Sequence, residues 1–434
     1  MSRNPSRAFI ALLSCALLLW SVGCSGSGAP PTTTPPTPPP SPTAPTGPNV
    51  AAITVNTGPA ASTGSPYVNG GFTSVTVCSP GSTSKCQTIN GILVDTGSYG
   101  LRILSSALTT VSLNQQTDSS GNPIVECAPF ASGFTWGPVQ TADLTISGEA
   151  AKSVPIQVLG SPNYPDTGAP TTPSCSDGST FSGLDSLAAL GANGILGVGL
   201  FAQDCGNGCT LTGVSNTGYY FSCPGGSDTN CAVTSEALSA QVVNPVVMFP
   251  VDNNGVIVEL PAVPADTVAT SITGYLIFGI GTESNNGMGS ATVYSVDPTS
   301  GNFSTEFEGL PYTDSSFLDS GSDALYFDPT NTDLVNEECA DLDDEFYCPT
   351  SPEAFSATNE GFSNGTSGQV NFTVANADSF FDNQADNSDG VFNGLAGPFS
   401  GVFDWGLPFF YGLNVYTAID GQNTPAGVGP FWAY

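Results

Sequence analysis

Two short segments of the chain are near copies of each other, and each contains an aspartate that could do chemistry. Ile92–Ser98 reads Ile-Leu-Val-Asp-Thr-Gly-Ser, and Ser316–Ser322 reads Ser-Phe-Leu-Asp-Ser-Gly-Ser. By chance, this composition predicts roughly one Asp-[Ser/Thr]-Gly, but only about 0.01 copies with two apolar residues before it and a serine after it. We therefore interpret Asp95 and Asp319 as a pair of catalytic carboxyls.

Two adjacent carboxyls can carry out acid–base chemistry. Held about 3 Å apart, they cannot both ionise and therefore share one proton. One can take a proton from water while the other donates a proton to a carbonyl oxygen. Such a pair needs glycines that let backbone N–H groups approach, hydroxyls that brace the two loops, and hydroxyls that bond the outer carboxylate oxygens. The sequence offers these supporting residues in turn as Gly97 and Gly321, Thr96 and Ser320, and Ser98 and Ser322.

A third copy of the tripeptide serves as an internal comparison. Asp166–Gly168 lacks the apolar run before it and the serine after it, and we interpret it as a turn. The alternative for the other two copies is similar, namely hairpin turns with Asx-type hydrogen bonds. Elsewhere, short β-rich runs alternate with clusters of turn residues. This pattern predicts an all-β protein with sandwich or barrel lobes.

Around the two aspartates the chain resembles the pepsin-like aspartic peptidases. The resemblance implies an all-β, two-lobed fold with short helices, in which Asp95 and Asp319 face each other in a cleft. More closely, Asp95–Arg102 and Trp405–Gly412 are similar to motifs of a bacterial family of exported lipoproteins of unknown function. Further blocks follow the peptidase order over most of residues 70–425: Gly194–Gly199, Val243–Phe249, Gly274–Gly279, Phe409–Tyr411 and Val415–Asp420.

The resemblance to the peptidases is incomplete at the flap, the hairpin that covers their cleft. The flap tyrosine corresponds to Phe130, which lacks the hydroxyl, and the tryptophan that bonds it corresponds to Arg102. Trp136 either substitutes in the cleft or covers apolar surface. The second apolar-apolar-Gly strand is predicted at Gly406–Pro408, with Pro408 in place of the glycine. These changes leave the two aspartates in place but alter the closure of the flap.

Two residues that follow the first aspartate have alternative roles. Arg102 either lies in the cleft, where it binds a substrate carboxylate or lowers the pKa of an aspartate, or forms an ion pair that locks its own strand. We favour the ion pair. Tyr99 either packs against its neighbours or lines the cleft.

The charge of the chain excludes several kinds of function. Its 434 residues include 37 Asp and Glu, 5 Lys and Arg and no His, for a formal net charge of −32. Beyond the N-terminal segment the cations are Lys85, Arg102 and Lys152. They are too few for nucleic-acid or anionic membrane binding, and histidine triads and histidine-ligated metals are impossible. We expect no metal, no cofactor and tolerance of acid.

The N-terminus predicts export. Residues 1–23 have a positive start and an apolar stretch too short to span a bilayer. Ser21–Cys24 resembles a bacterial lipoprotein cleavage site with Cys24 as the lipidated residue, and ordinary signal cleavage a few residues later is the alternative. Residues 24–48 are rich in Thr and Pro and predict an extended tether. We expect an extracytoplasmic lipoprotein at the outer membrane or cell surface, held to the membrane only by its lipid anchor.

Ten cysteines remain after Cys15 and Cys24, an even number that indicates disulfides in an exported chain. The chain after the tether is too long for one ordinary core. We predict an N-terminal β lobe over residues 49–285 and a C-terminal β lobe over residues 286–434, each with one Asp loop. Close spacing suggests four disulfides: Cys78–Cys86, Cys205–Cys209, Cys223–Cys231 and Cys339–Cys348. The remaining two cysteines then pair as Cys127–Cys175, although other connectivities stay open.

Two functions follow from these observations. The first is an exported aspartic endopeptidase that hydrolyses peptide bonds at acid pH, using water activated by Asp95 and Asp319. The second is a non-catalytic surface lipoprotein that keeps the fold and uses its cleft to bind a peptide, a glycan or a cell-wall partner. In both, the expected ligand is a polypeptide or a peptide-like molecule, and the expected state is a monomer.

Overall fold

The structure is a computed structural model that describes residues 44–63, 66–170, 175, 182–335, 337–339, 345–382 and 388–434. The predicted signal segment at residues 1–23, the lipidation site Cys24 and the tether up to residue 43 lie outside the described residues. No helix in the described ranges is long and apolar enough to cross a membrane.

The described part of the chain is all-β with three short α-helices, as the sequence predicted. The helices are α1 Leu187–Leu190, α2 Ala377–Asp382 and α3 Leu407–Phe410. Short 3-10 turns lie at Pro59–Thr63, Ser105–Ala107, Asp166–Gly168, Gly206–Thr210, Gly213–Ser215, Pro224–Gly226, Leu238–Ala240 and Pro245–Met248. The strands are β1 Val50–Asn56, β2 Gly70–Cys78, β3 Cys86–Asp95, β4 Tyr99–Leu104, β5 Asn114–Gln115, β6 Ile124–Phe130, β7 Gly133–Ile146, β8 Glu149–Leu159, β9 Gly194–Val198, β10 Tyr220–Ser222, β11 Ala232–Val233, β12 Gly255–Glu259, β13 Thr267–Ala269, β14 Ile272–Phe278, β15 Val293–Ser295, β16 Phe303–Phe307, β17 Leu310–Leu318, β18 Leu325–Phe327, β19 Glu353–Glu360, β20 Ser367–Val374, β21 Val391–Asn393, β22 Ala396–Pro398, β23 Phe403–Trp405, β24 Asn414–Ala418, β25 Asn423–Thr424, β26 Gly427–Val428 and β27 Phe431–Ala433.

Most strands belong to two large sheets. The larger has 16 strands and runs β11-β10-β6-β7-β8-β4-β9-β3-β2-β1-β14-β12-β24-β27-β15, with β5 paired to β7. The smaller has seven strands, in the order β20-β19-β16-β17-β23-β18-β22. Because β2 pairs with both β3 and β7, the strands β2, β3, β9, β4, β8 and β7 close into a ring. The part of the larger sheet that carries the first aspartate is therefore barrel-like.

The larger sheet runs across the predicted boundary at residue 285. The strand β12 pairs with β14 on one side and with the C-terminal β24 on the other. The strand β27 then joins β24 to β15. Strands from both predicted lobes thus share one sheet, and the division into residues 49–285 and 286–434 stays a prediction.

Each candidate aspartate lies at the end of a central strand. The strand β3 lies between β2 and β9, and β17 lies between β16 and β23. The apolar run Ile92–Val94 is buried, as is Leu318 before the second aspartate. Strands covered on both faces need such runs, which explains the apolar residues before each aspartate. In both sheets the strand pairs in parallel with a later one, β3 with β9 and β17 with β23.

The second of these parallel pairs corrects the sequence analysis. In the first pair Asp95 lies opposite Gly197. In the second, Leu318 lies opposite Trp405, so the next step of the register brings Gly406 beside Asp319. The prediction that Pro408 occupies the glycine position was wrong, because Pro408 lies in α3. The second apolar-apolar-Gly strand is thus Asp404-Trp405-Gly406, in which Asp404 stands at an apolar position of the pattern.

The five disulfides match the suggested pairing, four from close spacing and Cys127–Cys175 from the two cysteines that remained: Cys78–Cys86, Cys127–Cys175, Cys205–Cys209, Cys223–Cys231 and Cys339–Cys348. Disulfides persist in oxidising compartments and are rare in the cytosol. The protein is therefore extracytoplasmic.

The corrected register makes a prediction about Gly406. A Cβ atom there would lie 2.0 Å from the backbone oxygen of Ala324, which cannot move aside cheaply. We expect Gly406→Ala to lower the free energy of unfolding by about 1–3 kcal/mol or more. The matched control is Gly287→Ala, where a Cβ meets nothing within 4 Å and the change should stay within about 0.5 kcal/mol. Urea unfolding of both variants measures this, and equal midpoints would contradict the register.

Candidate active site

The structure brings Asp95 and Asp319 together from the two large sheets. A Cβ atom on Gly97 would lie 2.6 Å from Cγ of Asp319, and one on Gly321 would lie 2.8 Å from Cγ of Asp95. The carboxyl of Asp319 thus occupies the space where a side chain at position 97 would lie, and the carboxyl of Asp95 occupies that of position 321. Only glycine fits at these two positions.

Four hydrogen bonds hold the two Asp loops against each other. The Thr96 hydroxyl donates to the carbonyl oxygen of Leu318 at 2.9 Å and accepts from the N–H of Ser320 at 2.9 Å. In the reciprocal arrangement, the Ser320 hydroxyl donates to the carbonyl oxygen of Val94 at 2.8 Å and accepts from the N–H of Thr96 at 3.1 Å. Both side chains are buried. These are the bracing hydroxyls that the sequence analysis expected.

Matching hydrogen bonds orient the two carboxyls. The N–H of Gly97 donates to Oδ1 of Asp95 at 2.8 Å, and the N–H of Gly321 donates to Oδ1 of Asp319 at 2.8 Å. The Ser98 hydroxyl donates to Oδ2 of Asp95. The Ser322 hydroxyl bonds Oδ2 of Asp319 at 2.9 Å. All six supporting residues predicted from the sequence therefore contact the pair or join its loops.

The electrostatics of the pair favour a retained proton. Burial, and then the negative charge of Asp319, raise the pKa of Asp95 well above its ordinary value, although Ser98 and Gly97 donate hydrogen bonds that oppose the shift. Asp95 is 6% exposed, so little water screens the two carboxyls from each other. At a pH where a free aspartate is ionised, the pair therefore keeps a proton between its members.

A third carboxyl, that of Asp404 in β23, lies beside the pair and was missed by the sequence analysis. Its Oδ2 lies 2.7 Å from the Ser322 hydroxyl, which also bonds Asp319. Its Oδ1 is buried and has no hydrogen-bond partner among the described residues. Asp404-Trp405-Gly406 takes the place of the apolar-apolar-Gly strand beside the second Asp loop, and its charged first residue departs from that pattern.

Arg102 is buried and makes its contacts away from the two aspartates. Its guanidinium lies 2.6 Å from Glu126 and 3.0 Å from Asp204, and it also bonds Gln157 and the carbonyl oxygen of Tyr99. Burial lowers the pKa of Arg102, but the charges of Glu126 and Asp204 outweigh this effect and raise it. These contacts are those of the ion pair that we favoured, and they tie β4 to β6 and β8.

Phe130 meets Arg102 at the hairpin formed by β6 and β7. The guanidinium carbon of Arg102 lies 5.4 Å from the centroid of the Phe130 ring, a cation–π contact. The two departures from the peptidase pattern are therefore in contact with each other. The hairpin is also fixed along its length, because β6 pairs with β10, Cys127 bonds Cys175, and Phe134 exchanges backbone hydrogen bonds with Ser182 and Leu184.

Trp136 does not take the place of the flap tyrosine. It is fully buried in an apolar cluster with Cys127, Tyr164 and Phe221, and its ring packs edge-on against Phe221 at 5.4 Å. Side chains alternate between the two faces of a strand, so the neighbouring Thr135 points to the opposite face. The proposed cleft role for Trp136 was wrong, and its alternative, the covering of apolar surface, describes the structure.

Tyr99 lies close to the two aspartates. Its ring packs edge-on against Phe201 at 5.4 Å. Burial, followed by the charges of Asp95 and Asp319, raises the pKa of Tyr99. Both alternatives for this residue are therefore compatible, since it packs against a neighbour and also borders the pair. By contrast, Asp166 lies in a 3-10 turn, in agreement with its interpretation as a turn.

One group of side chains among the described residues has the spacing of metal ligands. It consists of Cys339, Cys348 and Asp378. The two cysteines form a disulfide, so they offer no thiolate to a metal ion.

Comparison with known proteins gives one family. The family model described as "Protein of unknown function (DUF3443)" matches residues 45–434. None of the curated proteins matches the chain.

The bracing hydrogen bonds predict the cost of removing one hydroxyl. Thr96→Val keeps the shape of the side chain but leaves the carbonyl oxygen of Leu318 and the N–H of Ser320 unpaired and buried. We expect a loss of about 1–3 kcal/mol for each group left unpaired. The control is Thr88→Val in β3, the strand that leads to Thr96, where the Thr88 hydroxyl bonds Thr76 at the surface. Urea unfolding should separate the two variants clearly, and a similar small loss in both would contradict the bracing role.

The Arg102 ion pair predicts a destabilisation that depends on pH. Arg102→Met leaves the buried Glu126 and Asp204 uncompensated, and we expect a loss of about 3–5 kcal/mol at pH 7. Burial raises the pKa of Glu126, so in the folded variant this group is neutral in acid and its cost appears only as the pH rises.

The loss at pH 4 should therefore be smaller than at pH 7, and Arg102→Met with Glu126→Gln should recover stability at pH 7. Unfolding midpoints at the two pH values measure this. An equal loss at both would show that packing alone is responsible.

Proposed function

The chain belongs to the DUF3443 family, whose description assigns no function, and we propose that it is an exported aspartic endopeptidase. In this proposal Asp95 and Asp319 activate one water molecule for the hydrolysis of peptide bonds at acid pH. The observation that carries the proposal is the reciprocal arrangement of the two carboxyls, each set against the other's glycine and each bonded by its own serine. A pair of unrelated hairpin turns would not need this exchange of contacts.

The proposed reaction uses only the proton that the two carboxyls share. The ionised carboxyl takes a proton from water as the water oxygen bonds the carbonyl carbon, and the protonated carboxyl passes its proton to the carbonyl oxygen. As the C–N bond breaks, one hydroxyl of the resulting diol returns its proton to the carboxyl that is now ionised. The carboxyl that took a proton from water passes that proton to the amine nitrogen. The pair ends with one proton, as it began.

The charges of the folded chain support work in acid. The folded pKa values of Asp95, Glu126 and Asp404 are raised by burial first, so their protonated forms favour the folded state. The stability that they contribute is present below about pH 4, the unfolded value, and is lost as the pH rises through the folded values. Four other carboxyls have lowered pKa values in the folded chain, so the stability that they contribute is lost on acidification: Asp118, Asp143, Asp297 and Asp328.

The setting of the proposed enzyme follows from the disulfides and the sequence. We propose a monomer that is anchored outside the cytoplasm by a lipid on Cys24 and acts on polypeptides. The stretch between Cys24 and the first strand would hold the site away from the membrane.

The second candidate is a non-catalytic surface protein that binds a peptide-like ligand in the same cleft. The fixed hairpin favours this candidate, because a lid that closes over substrate needs freedom to move. Here β6 is bonded to β10 and is tied through Cys127 to Cys175. The paired carboxyls favour the peptidase, because a binding site alone gains nothing from a raised pKa at Asp95.

The peptidase proposal predicts cleavage of unfolded protein that peaks in acid and depends on both carboxyls. Asp95→Asn and Asp319→Asn should each reduce kcat/KM by a factor of about 1,000 or more, since neither variant can share a proton in the same way. The matched control is Asp166→Asn, the same change in the third Asp-Thr-Gly, which should keep full activity. The assay runs from pH 2 to 7 and detects new peptide termini by mass spectrometry.

Three outcomes of this assay are informative. Activity that survives both active-site substitutions would come from another source and would refute the proposal. A folded wild-type chain that is inert from pH 2 to 7, yet binds peptides, would favour the second candidate. Loss of activity in the Asp166→Asn control would show that folding, rather than chemistry, explains the result.

A further inference from the structure

Asp404 carries an inference about how the two aspartates of the site divide their roles. Its carboxyl is 7% exposed, and its Oδ2 lies 2.7 Å from the Ser322 hydroxyl, which lies 2.9 Å from Oδ2 of Asp319. A line of three groups therefore runs from Asp404 through Ser322 to Asp319. The other carboxylate oxygen of Asp404 has no hydrogen-bond partner in the described part of the chain.

Among the described residues, this line of three groups has no counterpart beside Asp95. The residue of β9 that matches Asp404 is Ile195, which lies opposite Leu93 as Asp404 lies opposite Phe317. Ile195 has no group that could bond Ser98. The two Asp loops are thus alike in their glycines and hydroxyls but differ in this one buried carboxyl.

A count of hydrogens shows that this line needs one protonated carboxyl. The Ser322 hydroxyl has one hydrogen and lies between two carboxyl oxygens. If Asp404 and Asp319 were both ionised, one of the two contacts would be an unfavourable approach of two acceptors. If Asp404 keeps its proton, it donates to Ser322, and Ser322 donates to Asp319, so both contacts become hydrogen bonds. The reverse arrangement, with the proton on Asp319, would place the charge on Asp404, which is the more deeply buried of the two carboxyls.

The surroundings of Asp404 offer no cation to stabilise its charge. The charged and titratable groups nearest to it are Asp319, Asp95, Asp323 and Tyr326, and the Tyr326 hydroxyl donates to Asp323. Beyond the N-terminal segment, Arg102 pairs with Glu126 and Asp204, Lys152 pairs with Asp143, and Lys85 is exposed. Burial, followed by the charge of Asp319, raises the pKa of Asp404 well above its ordinary value.

We propose that Asp404 is a positioning residue that stays protonated and, through Ser322, places the negative charge of the pair on Asp319 and the shared proton on Asp95. A hydroxyl that accepts one hydrogen bond is a better donor of the next, so the line stabilises the ionised form of Asp319. The catalytic consequence rests on the proposed function. Asp319 then takes the proton from water, and Asp95 donates a proton to the carbonyl oxygen.

The first test reads the protonation of Asp404 without using activity. An infrared difference spectrum of the full chain at pH 6, wild type minus Asp404→Asn, should contain the band of a protonated carboxyl. The control is Asp118→Asn, since hydrogen bonds from Ser222 and Asn122 lower the pKa of Asp118 to about 2 and its difference spectrum should contain a carboxylate band. A carboxylate band for Asp404 would overturn the proposal.

The second test reads the pH profile of kcat/KM. Asp404→Ile introduces the side chain of Ile195, the matching residue of β9, and removes the donor to Ser322. The acid limb of the profile should therefore move up by roughly one pH unit or less. Asp404→Asn keeps an N–H donor, so its acid limb should stay where the wild-type limb lies. Ser322→Ala should shift the limb in the same direction, and Asp404→Ile should add nothing to that shift.

The outcomes separate the proposal from its alternatives. An acid limb that moves down in Asp404→Asn would mean that Asp404 is ionised in the working enzyme, which overturns the proposal. An unchanged profile in Asp404→Ile would leave it with a structural role only, which also overturns the proposal. If the wild-type chain cleaves nothing, the proposed function fails, and the infrared spectrum still decides the protonation of Asp404.

Discussion

The reciprocal hydrogen bonds between Thr96 and Ser320 are the constraint on which the rest of the site depends. The strands β3 and β17 belong to different sheets, and these hydrogen bonds join the loops that follow them. Each hydroxyl bonds a backbone carbonyl and a backbone N–H of the facing loop. A shift of either loop would therefore leave buried polar groups without hydrogen-bond partners. These reciprocal hydrogen bonds fix the distance between each glycine and the opposite carboxyl. They therefore determine whether the two carboxyls can share one proton.

Much of this arrangement could be predicted from the sequence because its signals are local. The apolar run, the aspartate, the glycine and the hydroxyls follow one another within seven residues, and the pattern occurs twice. The all-β class was visible in the alternation of β-rich runs and turns. Four of the disulfides join cysteines at most nine residues apart, and the fifth followed from the two cysteines that remained.

The features that the sequence did not reveal depend on the register between distant strands. Arg102 was recognised as unusual, but its partners Glu126 and Asp204 lie on other elements, 24 and 102 residues away. The role of Trp136 depended on which face of β7 is turned inward. The error at Pro408 arose for the same reason, since only the pairing of β17 with β23 shows that Gly406 is the equivalent glycine. Asp404 was hidden by that error.

The scarcity of cations connects the site to the charge of the whole chain. Of the three cations beyond the N-terminal segment, Arg102 is engaged by two buried carboxylates and Lys152 by Asp143. None is available to neutralise Asp95, Asp319 or Asp404, and protons are the remaining means of lowering the charge of these three carboxyls. Asp95 and Asp404 are buried and Asp319 is partly buried, and the three together can hold a single negative charge only if two of them keep a proton. The site is thus in its least repulsive state under acid conditions, and the hydrogen bonds of Ser98 and Ser322 determine where the remaining charge lies.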